Sequence, residues 1–428
     1  MEEIATQKTF KNYLVFWSGQ LFSLLGSMVV HFIITWWIQE ETNNPLYLAI
    51  ASLMYMLPMI IATPIAGVLS DRISRKKIII IVDSLQAVTT FIMIILFLMN
   101  FTEIWIIFIF LAIRSIFQGF HYPAVSSVIP LMVPKDKLSR VNGVNFLFSS
   151  LVQLIGPALG AVLSLFLTFY QILWIDIITF FIALVPLLLI QIPSANMKGS
   201  TASKEKQSFF SDFIEGLRLL TSVPVLITII ILAMFLNFLI QPLGTLMPYY
   251  VNTLHGGDIS AYAFVSISMN IGMIAGAIVT IVKKNWNHKI LTTFIGIVVL
   301  FSGYAYLAFI PTGIFFMMVI GLVMMGITLP IINTIFQTIE QTIVPPDKIG
   351  RVMSIDATLS MIISPLGIVL TGILSVYLGV TPLFLFCGII GVTISIATYL
   401  FTNIRHFEKE KKSDSNILSA LDENELSS

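Results

Sequence analysis

The chain has 428 residues, of which 57% are hydrophobic and 11% charged, with a formal net charge of +1 and a mean hydropathy of +0.96. A soluble domain is nearer about a quarter charged, so a soluble protein is excluded, and the near-neutral balance offers nothing for nucleic acid. The length accommodates about twelve membrane spans of about 20 residues with short loops.

The N-terminal segment Met1 to Lys11 is short and mixed in charge. The apolar run behind it is too long for a signal-peptide core and lacks an evident cleavage site, so it reads as a retained span. Twelve helices are predicted, over residues 13–38, 47–69, 78–99, 105–132, 143–168, 172–192, 224–252, 260–283, 290–310, 314–343, 352–378 and 382–404. This divides the chain into an N-terminal six-helix bundle (1–192), a cytoplasmic linker (193–222), a C-terminal six-helix bundle (223–404) and a disordered cytoplasmic tail (405–428). Within the linker, Phe209 to Leu220 is amphipathic and reads as a segment lying along the membrane surface. The single cysteine, Cys387, sits in an apolar run and excludes an internal disulfide.

Every Lys and Arg except Arg114 falls in the N-terminal arm, the linker, the tail or the loops after predicted spans two, four, eight and ten. The opposite loops carry Glu40, Glu41, Glu103 and Asp258 instead. By the positive-inside rule both termini are cytoplasmic. The densest of the basic loops, Gly67-Val68-Leu69-Ser70-Asp71-Arg72-Ile73-Ser74-Arg75-Lys76-Lys77, joins the second and third spans, and its charges require water. An internal repeat marks two halves: Val133-Pro134-Lys135-Asp136-Lys137-Leu138-Ser139-Arg140-Val141 recurs as Val344-Pro345-Pro346-Asp347-Lys348-Ile349-Gly350-Arg351-Val352.

Inside the predicted membrane region the polar residues are few. Arg114, Gln118 and His121 fall at i, i+4 and i+7 on one helix face. A guanidinium keeps its charge and needs partners or water, which directs this face toward a central cavity. The face either binds substrate or tunes a nearby acid, or it is a structural arginine satisfied by backbone carbonyls and amides. His121 reads equally as a hydrogen-bonded interior histidine. The acids in or near spans are Asp83, Asp176, Glu340 and Asp356. A carboxylate in a low-dielectric site can hold a proton near neutral pH, as an antiporter requires. Asp83 and Asp176 are the leading coupling candidates, while Asp356 also fits a plain helix-dipole partner. Phenylalanine (33), methionine (19) and tryptophan (6) supply polarisable walls for bulky apolar cargo. Met54, Phe117, Phe235, Asn237, Met269 and Asn270 are wall candidates.

The loop Gly67…Asp71-Arg72…Arg75-Lys76 resembles the signature between the second and third helices of the major facilitator superfamily of transporters. Gly156-Pro157-Ala158-Leu159-Gly160 in the fifth span resembles the helix-bend element of antiporters in that superfamily. Arg114-Ser115…Phe120-His121-Tyr122-Pro123-Ala124 is similar to a run in bacterial macrolide-efflux permeases, and Phe16-Trp17-Ser18-Gly19-Gln20, Trp36-Trp37, Pro330…Asn333 and Gly350-Arg351-Val352 fit them too. The resemblance spans about residues 10–405. It implies an all-α membrane protein of two pseudo-symmetric six-helix bundles. It also implies a gate latch built from Gly67, Asp71, Arg72 and Arg75, with Arg140 and the start of the eleventh helix as partners. Gly156, Pro157 and Gly160 would bend and pack the fifth helix. Where many relatives carry an acid in the first span, this chain has the neutral Ser27 and Met28.

The expected function is secondary active export of amphipathic, macrolide-like drugs by proton antiport with alternating access, in the bacterial cell membrane. A monomer is expected, with the lipid bilayer, a small amphipathic substrate and protons as its partners. A partner ATPase is left open, since the chain itself has no phosphate-binding Gly-x-x-x-x-Gly-Lys-Ser/Thr loop. The first alternative is an exporter or flippase of a physiological amphiphile such as a siderophore or lysophospholipid. The second is a membrane-embedded enzyme, for which no convergent nucleophile or metal-ligand set is evident. No catalytic residue, cofactor or metal is assigned.

Overall fold

The computed structural model describes residues 6–70, 73–193, 224–283, 286, 288–344, 349–402 and 404. Among these, 12 helices are long and apolar enough to cross a membrane. The elements are α1 (Gln7–Thr42), α2 (Pro45–Ser70), α3 (Arg75–Leu98), α4 (Ile104–Ser126), α5 (Ile129–Met132) and, after a 3₁₀ turn, α6 (Leu138–Ser164) and α7 (Phe169–Leu189). They continue with α8 (Pro224–Tyr249), which runs into a π turn (Tyr250–Leu254), then α9 (Ile259–Val282), α10 (Lys289–Leu307), α11 (Phe315–Ile343), α12 (Ile349–Ile362), α13 (Ser364–Leu378) and α14 (Val380–Phe401).

Two predicted helices are broken, and proline accounts for both breaks. A proline inside a helix removes a backbone hydrogen bond and clashes with the carbonyl four residues back, and it sits most easily in the first turn. Pro130 therefore ends α4 at Ser126 and opens the short α5. Pro365 likewise separates α12 from α13. Helix ends are satisfied locally. Thr6 and Thr9 form a capping box at the start of α1, and Thr168 and Gln171 do the same for α7. Lys76, near the start of α3, donates from Nζ to the carbonyls of Leu188 (2.9 Å) and Ile190 (2.6 Å), where a cation complements the C-terminal end of α7. The amphipathic linker segment Phe209 to Leu220, and the tail from Arg405, lie outside the described residues.

By contact density the chain divides into two units. The first holds Met1–Ser203, Thr245–Ile267 and Ile368–Val376; the second holds Lys204–Gly244, Ser268–Gly367 and Tyr377–Ser428. In the first unit α2 packs on α4, α3 on α4 and α7, and α1 on both α6 and α7. One apolar cluster gathers Val30, Ile34, Met93, Ile94, Leu111 and Leu173; another gathers Tyr13, Phe16, Ile79, Val128, Met132 and Leu187. In the second unit α10 packs against α11 and α14, with Tyr304 against Phe384 at a ring separation of 5.3 Å.

Close helix approach fixes the surroundings of α1. A Cβ on Gly26 would fall on Thr179 Oγ1 and lie 3.3 Å from Asp176 Cα, so glycine is what lets α1 sit directly on α7. On another side of α1, a Cβ on Gly156 would lie 2.7 Å from Met28 Cβ. Pro157 lies within the continuous α6, and Gly160 faces Phe32.

Candidate functional site

Helices α3 and α4 run antiparallel and side by side, and three polar pairs connect them like rungs. Residues 83, 86 and 90 lie on one face of α3; residues 121, 118 and 114 lie on the facing side of α4. The two spacings, three then four on each helix in that order, are complementary only in an antiparallel register. In the first rung His121 Nε2 lies 3.2 Å from Asp83 Oδ1. In the second, Gln86 Nε2 donates to Gln118 Oε1 at 3.3 Å. In the third, Arg114 Nη1 donates to Thr90 Oγ1. From first rung to third is about 10 Å along the helix axes.

Neighbouring helices complete the end rungs. Asp176, from α7, accepts Arg114 Nη1 and Thr90 Oγ1 on Oδ2, each at 2.6 Å. Its Oδ1 accepts Ser27 Oγ of α1 at 3.3 Å. Asp176 and Thr90 are buried, and Arg114 is nearly so. A charged pair at this depth survives only when its remaining donors and acceptors are also met, which the two hydroxyls accomplish. At the other end, His121 Nε2 also lies 2.9 Å from Gln20 Oε1 of α1. Asp83 is buried, while the His121 side chain is 18% exposed and is the open member of its pair.

A small cavity of about 30 Å³ opens beside the third rung, walled in part by Ser27, His31, Tyr55, Gln86, Arg114 and Gln118. That is room for about one water molecule, far below the roughly 300–1,000 Å³ of a drug site. His31 lies against the Tyr55 ring at 4.3 Å, and its buried Nδ1 has no hydrogen-bond partner. The Ser115 hydroxyl donates to the Tyr55 carbonyl, tying α4 to α2.

The structure therefore brings Arg114, Gln118, His121, Asp83 and Asp176 into one connected site. Sequence reasoning missed its supporting members: Gln20, Ser27, His31, Tyr55, Gln86 and Thr90. Gln86 and Thr90 carried a signal, since they follow Asp83 at i+3 and i+7. Ser27 of α1 donates its hydroxyl to the acid that α7 supplies, Asp176.

The remaining candidates lie apart from this site. Glu340 is buried near the end of α11, and Asp356 lies in α12 with Ser360 Oγ 3.4 Å from its Oδ1. Gly67 is in the last turns of α2 and Arg75 heads α3, with its buried Nε unpartnered. Arg140 is exposed near the start of α6. Asp71 and Arg72 lie outside the described residues. Of the wall candidates, Met54 and Phe117 pack against apolar clusters, and Phe235 and Asn237 are exposed along α8. Met269 and Asn270 are half-buried in α9. Among the described residues no group of three or more His, Cys, Asp or Glu could hold a metal ion.

Comparison with known proteins fits this architecture. Macrolide efflux protein A of Streptococcus pyogenes is 26% identical over 392 residues, covering 92% of this chain and 96% of that protein. The multidrug efflux pump Tap of Mycolicibacterium fortuitum is 22% identical over 384 residues, covering 88% and 92% respectively. The crystal structure of the nucleoside transporter NupG superposes with a TM-score of 0.68 at 14% identity, covering 90% of this chain and 98% of that one. The family model of the Major Facilitator Superfamily matches residues 16–367 and 285–421. With twelve apolar spans and that match over most of its length, the chain belongs to the Major Facilitator Superfamily of transporters, with macrolide and multidrug efflux proteins among its relatives.

Proposed function

We propose that this transporter exports amphipathic, macrolide-like compounds by proton antiport with alternating access, both termini on the cytoplasmic side. The observation that carries this reading is the rung-linked site on α3 and α4, with its buried arginine and two buried acids. Charges at membrane depth are costly and generally mark ion or substrate pathways. Buried carboxylates among polar partners give protons somewhere to bind. The efflux activities in the names of the relatives support the cargo class, and the alternation of basic and acidic loops supports the orientation. Gly67, Asp71, Arg72, Arg75 and Arg140 serve as the cytoplasmic latch. Gly156, Pro157 and Gly160 let α6 pack and flex against α1. Residues 1–192 and 223–404 are the two pseudo-symmetric halves of the alternating-access transporter.

The test is accumulation of labelled erythromycin in a pump-deficient bacterial host, with and without a protonophore, for wild type and Arg114→Ala at matched expression. Lower accumulation with wild type, abolished by the protonophore and by the substitution, is the expected result. Equal accumulation in well-expressing cells overturns the macrolide assignment and moves siderophores and lysophospholipids to the front. Lowered accumulation that ignores the protonophore overturns proton coupling.

A further inference from the structure

We infer that the two buried acids of the site divide the work: Asp83 with His121 holds the exchangeable proton, and Asp176 with Arg114 is a fixed ion pair that does not exchange. This deepens the antiport reading above and rests on it.

The two carboxylates differ in what faces them. Asp176 is met by a guanidinium and a threonine hydroxyl on one oxygen and by a serine hydroxyl on the other. A guanidinium does not deprotonate in proteins, so the anion opposite it keeps a constant partner. Asp83 faces His121, an imidazole that can stand neutral or protonated. The other groups near Asp83 are the Gln20 side chain of α1, which meets the Asp83 carboxylate as well as His121, and Asp176 of α7, which lies within electrostatic reach. Arg114 lies two rungs away along α4 and is committed to Asp176.

The charge balance follows from this geometry. With one shared proton the Asp83–His121 pair carries no net charge; without it the pair carries one negative charge. Loading forms a single O–H bond on Asp83 and unloading breaks it, with the proton passing to or from water by way of His121 and no electron transferred. His121 is the more open partner and has two ring nitrogens. It can take a proton on one while Nε2 hands another to Asp83 Oδ1 at 3.2 Å. The buried Gln20 Oε1 holds the same Nε2 from α1, and Gln20 Nε2 has no hydrogen-bond partner. That donor lies beside the Asp83 carboxylate and can close on it when the imidazole is occupied elsewhere. The second rung, an amide pair, carries no charge in any state and separates the variable end of the site from the constant one.

Infrared pH-difference spectroscopy on the purified full-length protein reads the protonated carboxyl directly and needs no cargo. A protonated-carboxyl band that appears and disappears with pH is expected in wild type. It should be lost in Asp83→Asn, shifted in frequency in Asp83→Glu, and retained in His121→Gln and in the double variant Arg114→Met/Asp176→Leu. Survival of the band in Asp83→Asn overturns the assignment, as does its loss in the double variant or in Glu340→Gln. Its absence from wild type overturns it too. Export that ignores the proton gradient would defeat the antiport reading without altering the spectrum, so the two failures are distinguishable.

Discussion

The Arg114–Asp176 pair makes a quantitative prediction about stability. Both side chains are close to fully buried, at 11% and 7% exposure, and meet at 2.6 Å. Removing one member of such a pair leaves a charge without its counterion and costs about 3–5 kcal/mol. The structure places the arginine deletion at the lower end, about 3 kcal/mol, because Thr90 and Ser27 still donate to Asp176 and the adjoining cavity admits about one water. Removing both charges is different. Replacing a buried ion pair by apolar side chains of similar volume is often neutral or stabilising. Arg114→Met/Asp176→Leu should therefore lie within about 1 kcal/mol of wild type, and should be more stable than either single variant by at least about 2 kcal/mol. Unfolding in mixed micelles of detergent and dodecyl sulfate, followed by tryptophan fluorescence, measures all four corners of the cycle. Transport should be lost in all three variants. A double variant no more stable than the worse single one would refute the view that the two charges offset each other. Single variants that each cost under about 1 kcal/mol would refute the burial argument itself.

Two further predictions concern the frame around the site. Gly26→Ala should lower thermal stability and impair transport, because its Cβ falls on Thr179 Oγ1. Gly26→Ala/Thr179→Ala should recover part of the loss, and a double variant as unstable as the single one would count against the close α1–α7 contact as the cause. Asp71→Asn, in the loop that the family resemblance marks as the latch, should abolish export at unchanged expression in membranes; wild-type export by this variant would dispose of the latch.

Much of the fold is legible in the sequence because the membrane imposes it. Spans must be long, apolar and internally hydrogen-bonded, so the predicted edges fall within six residues of those in the structure. The exceptions are informative. Pro130 and Pro365 were visible, yet the apolar run continues through both, and composition does not reveal where a helix restarts. The site was legible as one face of α4, from Arg114 to His121, and as isolated acids. What joins Asp83 to His121 and Asp176 to Arg114 is the register of α3 against α4 and the approach of α7. Those depend on packing at Gly26 and between α2 and α4, which no local pattern encodes.

The arrangement also explains why the polar residues are spaced as they are. An isolated charge in a membrane helix is expensive, and an isolated amide or hydroxyl lacks water to bond. Pairing polar residues across two antiparallel helices lets each side chain satisfy another, and the three-and-four spacing keeps all of them on the shared face. On the proposed division of the two acids, the site loses or gains a proton at one end without dismantling the rest, because each rung has its own partners. It would fail if both acids faced arginines, since neither could then vary its charge. It would fail equally if both faced histidines, since nothing constant would anchor α7 to α3 and α4. One permanent cation and one titratable partner, set two rungs apart, meet both requirements with few residues.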